Sequence, residues 1–319
     1  MLCSILSGAL PGEWITVFPS ESERQKHSGP RPDVLLCCAV VLTASITLKG
    51  GERQLNIVIP IKQVPETSNV KMDEKTGTMV REGVESIINP LDLYAIEAGI
   101  QLKDRFGGTV TVISMGPPNA EKAIREAIAM GCDGGVLVSG REFAGSDTWA
   151  TAYALSESVK KIGAFDLILC GERATDGDTG QVGPGIASFL DVSLATYVSR
   201  IVETDEKEIV VERLIEDGYE TLAMRLPALV TVVKEISYPR LPTLRGKQKA
   251  RKTAVPVWAA AEIGIDAAKL GLNGSPTRVV KIEMPKVTRG GKIVPAPDEE
   301  SAVRAVDGLV DFLKSKDFI

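Results

Sequence analysis

The sequence predicts an α/β fold: a doubly wound, mostly parallel sheet with an added antiparallel section and an extended C-terminal arm. Three observations predict it. Short apolar runs alternate with helical-period segments between Leu55 and Leu190, Gly or Pro punctuates most of the junctions, and after Asp191 the alternation gives way to strand-like runs joined by a tight turn.

The elements follow in order. Residues 55–61 form an apolar strand, with Pro60 near its end, where a missing N–H matters little. Asn89 and Pro90 open a helix as cap and first residue; Tyr94, Ala95, Ala98, Leu102 and Phe106 recur at helical spacing until Gly107-Gly108 ends it. Residues 109–114 are the next strand, Pro117-Pro118 restarts the chain, and residues 120–130 read as a second helix. Strand 135–139, helix 147–162 (capped near Ser146 or Asp147) and strand 165–170 repeat the pattern. Beyond Asp191, residues 195–204, 208–215 and 219–224 read as antiparallel strands with Asp217-Gly218 as a hairpin turn, and 227–233 as a buried strand. The segment from Ala254 to Pro297 reads as irregular and extended, and residues 299–313 as an amphipathic helix.

Residues 1–54 differ from this body. Residues 34–48 are apolar over about 15 positions, short of the ~20 a membrane-spanning helix needs, and the run comes too late for a signal peptide. The reading favoured is that the leader lies outside the fold and that Leu55 marks the true start: Lys49-Gly-Gly-Glu52 is encodable by a purine-rich, ribosome-binding stretch, and Leu55 by an alternative start codon. An unusual targeting segment is the other reading. The organisation expected is therefore a leader 1–54, an α/β domain 55–254, and a C-terminal arm 255–319.

Composition removes whole classes of chemistry. The single histidine, His27, lies in the leader, so triad hydrolases and most zinc or haem sites lose their usual ligand. None of the five cysteines forms a CxxC pair, which fits a reducing cytoplasm and makes a metal site unexpected. A net charge of −5 and few aromatic residues argue against nucleic acid as a partner.

The stretch with the most chemical content is Gly171-Glu172-Arg173-Ala174-Thr175-Asp176-Gly177-Asp178-Thr179-Gly180-Gln181-Val182, between an apolar strand and the next helix. Open α/β sheets bind ligands at such strand-to-helix junctions, and N–H groups at a helix start suit phosphate. Thr179 is the expected cap of that helix. With neither a G-x-G-x-x-G turn nor a Walker A loop present, the loop suggests a nucleotide without naming one.

Three separated stretches carry a resemblance: Ile61-Lys-Gln-Val-Pro65, the Asp176-Gly-Asp-Thr-Gly-Gln-Val-Gly-Pro184 loop, and the run from Lys234 through Tyr238-Pro-Arg-Leu-Pro-Thr-Leu244 to Lys247. Together they resemble the β subunit of electron transfer flavoprotein from about Leu55 to the C-terminus. The resemblance implies a heterodimer in which the α subunit carries the main FAD and the β subunit holds a second nucleotide. That nucleotide is AMP in many members; in electron-bifurcating members it is FAD, reduced by NADH. Redox activity then belongs only to the complex, which serves acyl-CoA dehydrogenase-type partners, as in fatty acid oxidation, with ferredoxin or flavodoxin as the second acceptor when it bifurcates.

Carried over by position, the nucleotide site uses Pro60, Asn89, Pro90, Leu91, Asp92, Met115 and the loop from Gly171 to Val182. Asp176 and Asp178 are expected to bond ribose or backbone, with Thr179, Gly180 and Gln181 donating to the diphosphate. The small residues of the loop leave room for a large ligand, and FAD is favoured over AMP. Docking falls to Tyr238, Pro239, Arg240, Leu241, Pro242, Thr243 and Leu244 within residues 236–252, with Leu244 as apolar anchor and the cations of 245–252 steering an acidic partner. A stand-alone adenine-nucleotide-binding regulatory protein is the competing class.

Overall fold

A computed structural model of the chain describes residues 54–66, 71–72, 79–80, 86–278 and 293–319; the leader lies outside them. The first part runs β1 (Leu55–Pro60), β2 (Gln63–Pro65), β3 (Lys71–Met72), β4 (Met79–Val80), β5 (Ser86–Ile88), α1 (Pro90–Phe106), β6 (Gly108–Met115), α2 (Glu121–Met130), β7 (Gly134–Val138), α3 (Thr148–Ile162), β8 (Leu167–Gly171) and α4 (Val182–Leu190). It continues through β9 (Ser193–Thr204), β10 (Glu208–Ile215), β11 (Gly218–Arg225), β12 (Ala228–Val232), α5 (Leu244–Lys252), β13 (Val257–Trp258), α6 (Ala260–Ile263) and α7 (Gly271–Gly274). These belong to a compact unit that ends at Arg278; the unit from Val279 onward contains α8 (Glu299–Ser315).

The main sheet has the order β11-β10-β9-β12-β8-β1-β6-β7-β13. Neighbours from β9 across to β13 are parallel, while β10 is antiparallel to both β9 and β11. Both expected halves, parallel and antiparallel, are present, and β9 joins them: one edge takes the hairpin, the other pairs in parallel with β12 from Ala228↔Ser193. The hairpin turns at Glu216-Asp217, so that Gly218 pairs with Ile215 as the first residue of β11.

The strands are apolar on both sides because both faces are covered. Ile57, Ile59, Val110, Val112, Leu167 and Leu169 meet one helical layer, which contributes Ile96, Ile100, Ile124 and Ile128. The alternate positions Val58, Ile113, Ile168 and Leu229 meet the other, with Leu155, Val159 and Ile186. Each such side chain contributes about 1.5–3 kcal/mol by leaving water. Cys132 and Cys170 are buried free thiols within this packing.

Three local expectations change. Past Ala254 the chain is not irregular throughout: β13 adds to the edge of β7, and short helices follow. A two-residue strand after Pro256 is too short to show a period in sequence. Asn89 stands at the N-cap position of α1, but its side chain makes no capping bond. Thr179 does not cap α4 either; the helix starts two residues later, with Gln181 at the N-cap.

Candidate functional site

Connectivity fixes where a crevice opens. From β1 the chain winds outward through β6 and β7, then returns across β1 to lay down β8 on its other side. The β1/β8 boundary is thus a topological switch point, where loops leaving the carboxyl ends diverge. Those loops are Ile61–Gln63 and Gly171–Gln181, with the start of α1 between them.

Asn89 holds this junction together. It is fully buried, so its amide needs partners. The Nδ2 group donates to the Arg173 carbonyl at 2.9 Å, and Oδ1 accepts from the Thr175 N–H at 3.1 Å. Its own N–H reaches the Lys62 carbonyl at 2.8 Å, and its carbonyl accepts from the Asp92 N–H at 2.9 Å. One residue, its side chain on the loop after β8 and its backbone on the segment after β1, therefore ties the two together. This explains the missing cap: the same amide cannot also turn back to its own helix.

Asp92, in the first turn of α1, makes the second tie. Its Oδ2 accepts from the Lys62 N–H at 2.7 Å. Burial pushes its carboxyl up to about 7, against the opposing hydrogen bonds of the Lys62 N–H, the Asn89 side chain and the Gly171 N–H. Burial, with the Asp92 charge adding to it, also raises the Cys170 thiol far out of the titrating range. Gly171 is required where these meet. An added Cβ would overlap Asp92 Oδ1 and lie 2.9 Å from the Leu91 carbonyl carbon.

The outer loop is exposed and charge-paired. Lys62 Nζ lies 2.7 Å from Asp176 Oδ1, and Arg173 Nε lies 3.2 Å from Asp178 Oδ1. Asp178 adopts a left-handed conformation, φ 52°, as does Gly180, φ 61°. Around Gly177 an added Cβ would meet nothing within 4 Å. Among the described residues no side chain caps α4, so the N–H groups of Val182 and Gly183 face out of its first turn unclaimed by a cap. Pro60 ends β1 opposite Ile113, and Met115 ends β6, half-buried, at the carboxyl edge of the neighbouring strand.

The second predicted region lies against α1 further along the helix. Segment 237–243 has no regular structure and leads into α5, which Thr243 caps by accepting from the Gly246 N–H at 2.9 Å. The basic run 245–252 is therefore a helix, as its Arg, Lys, Gln and Ala content favours. Tyr238, Leu241 and Leu244 are 94%, 85% and 82% exposed. Arg240 turns inward onto Glu97 and Asp104.

Sequence reasoning passed over two residues. Lys62 was within a quoted motif but assigned no role, and Glu97 was a carboxylate sitting among Ile96, Ala98 and Ile100 on the buried face of α1. An acid inside an apolar stripe was the available signal.

Comparison with known proteins gives the family. Residues 76–263 match the electron transfer flavoprotein domain. An electron transfer flavoprotein subunit beta of Thermoanaerobacterium thermosaccharolyticum is 47% identical over 266 residues, covering 83% of this chain and all of the relative. The caffeyl-CoA reductase-Etf complex subunit CarD of Acetobacterium woodii is 43% identical over 267 residues, again covering 83% of this chain and all of the relative. Protein FixA of Azotobacter vinelandii is 48% identical over 238 residues, covering 73% of this chain and 85% of the relative. The chain belongs to the electron transfer flavoprotein family, on the side of its β subunits.

Proposed function

We propose that this chain, paired with an α subunit, holds a second FAD in the β1/β8 crevice and mediates electron flow from NADH to two acceptors. The observation that carries the reading is the loop from Gly171 to Gln181, fastened to the start of α1 by Asn89 and leading into an uncapped helix start. The donor set fits a dinucleotide. The N–H groups of Val182 and Gly183 and the side chains of Thr179 and Gln181 would hold the diphosphate, while Asn89 and Asp92 tie the two loops to the start of α1. Asp176 and Asp178 do not repel it outright, because Lys62 and Arg173 already compensate their charge. The small residues Gly177 and Gly180 let a ligand approach the loop backbone closely, which supports FAD over AMP. The bound flavin supplies hydride acceptance and single-electron release; the chain supplies orientation and electrostatics.

The remaining parts follow the same reading. Segment 238–244 docks an acyl-CoA dehydrogenase-type partner, which is supported by the CoA-thioester reductase named for one relative. Ferredoxin or flavodoxin takes the other electron. Leu241 is as exposed as Leu244 and shares the anchoring role. The unit beyond Arg278 packs on the α subunit: Val303, Val306, Leu309 and Phe312 recur every third residue along α8, each more than half exposed. The setting is the cytoplasm; among the described residues no helix is long and apolar enough to cross a membrane.

Co-expression with the α subunit, followed by nucleotide extraction, tests the central claim. Two FAD per heterodimer is the expected result. One FAD with one AMP would leave a non-bifurcating carrier.

A further inference from the structure

Segment 237–243 lacks the internal ladder of a helix or strand, and two of its residues, Pro239 and Pro242, have no N–H to donate. Its shape therefore depends on ties to its surroundings. At one end the Ser237 hydroxyl donates to the Tyr94 carbonyl at 3.2 Å, and at the other the Thr243 N–H reaches the Ala129 carbonyl at 3.4 Å. Between them stands Arg240, whose hydrogen bonds run to Glu97 and Asp104 of α1.

The geometry is that of a fork closing on a buried carboxylate. Arg240 Nε donates to Glu97 Oε2 at 2.8 Å and Nη2 to Oε1 at 3.0 Å, while the Arg240 backbone N–H also donates to Oε2 at 3.1 Å. Gln101 Nε2 adds a bond to Oε1 at 2.9 Å, and Asp104 Oδ2 accepts from Nη2 at 3.1 Å. Glu97 is only 3% exposed while the Arg240 side chain is 37% exposed, so side chain and backbone of Arg240 are fixed together from the surface onto a carboxylate withdrawn from water. Burial alone would raise the Glu97 carboxyl; the Arg240 hydrogen bonds outweigh it and hold the group below its usual value. Tyr238 and Leu241 flank this point and face solvent.

We propose that Glu97 is a positioning residue for partner recognition: through Arg240 it holds the exposed apolar tips of segment 238–244 in one shape before the partner arrives. This rests on the reading of that segment as the docking surface. A loop ordered in advance loses less freedom on binding, so the pair acts on affinity more than on electron transfer within the bound complex.

The test uses the αβ complex and a short-chain acyl-CoA dehydrogenase as partner. Glu97→Gln keeps the volume and removes the charge. Expected are a roughly tenfold faster hydrogen exchange at residues 237–243 and a roughly tenfold higher KM for the dehydrogenase, with kcat at saturation within a factor of two. The double variant Glu97→Gln/Arg240→Gln should cost no more than the worse of its single parents, since both act through one contact. A native KM in Glu97→Gln, while Leu241→Ala/Leu244→Ala raises it, overturns the clamp alone. A native KM in the leucine variant overturns the docking reading and the clamp with it.

Discussion

The crevice loop and the docking segment hang from the same helix and are held in opposite ways. At the start of α1, a neutral amide and a carboxyl with a raised pKa grip backbone groups. Two turns further on, a depressed carboxylate grips a guanidinium. The first arrangement grips backbone groups and leaves the start of α4 without a side-chain cap, as suits an anionic ligand. The second spends charge to fix a shape whose working surface is apolar. Their responses to substitution and to pH should differ accordingly.

The largest effect that would sharpen the contrast is expected at Gly171. Gly171→Ala forces a methyl into Asp92 Oδ1 and the α1 backbone, which should cost about 1–3 kcal/mol of stability by overpacking. Nucleotide should be lost from the purified heterodimer, while hydrogen exchange in 237–243 stays as it was. Exchange that rose equally in both regions would show that the two grips are not independent.

Acidity should separate them next. The Asp92 carboxyl is raised, so between about pH 4 and 7 the folded chain holds a proton that the unfolded chain has released. Stability from this group is therefore present at low pH and lost as pH rises through that window. Asp92→Asn should flatten the dependence of unfolding free energy on pH there, by roughly 1 kcal/mol per pH unit, read from urea titrations. Glu97 has the reverse sign: its contribution is present above the ordinary carboxylate range and is lost only as pH falls below it. An unchanged slope in Asp92→Asn would break the distinction.

Asn89→Ala should have the smallest effect. It removes two hydrogen bonds to a partly solvated loop, which is worth about 1–2 kcal/mol. Nucleotide affinity, measured by equilibrium dialysis, should fall roughly tenfold. Unchanged affinity would mean that the outer ion pairs, not the amide, hold the loop.

Much of this was legible in sequence because the parallel core writes its period plainly. The runs at β1, β6, β7 and β8 are apolar on both faces, and Gly107, Pro118 and Gly131 mark the joints. The switch point follows once the strand order is known, and the loop after β8 stands out by its Gly and Asp content. What stayed hidden depends on contacts between distant segments. Asn89 looked like a cap because local chemistry favours one there, but Arg173 and Thr175, 84 and 86 residues away, outbid the helix for its amide. Glu97 and Arg240 are separated by 143 residues, and neither position announces the other. β13 was too short to carry a pattern, although its two residues close one side of the sheet.

That closure also bears on how the chain avoids its own copies while it folds. Among the described residues the nine-stranded sheet has two margins, and each is an invitation to further strand addition. At one margin β13 exposes little ladder, because Pro256 precedes it without an N–H and α6 begins two residues after Trp258. At the other, β11 carries Glu220 and Arg225 and starts with Gly218, a charged and conformationally loose template for a neighbour. The sheet is thus terminated on one side by brevity and on the other by charge, which leaves self-association by strand exchange a poor competitor to assembly with the correct subunit.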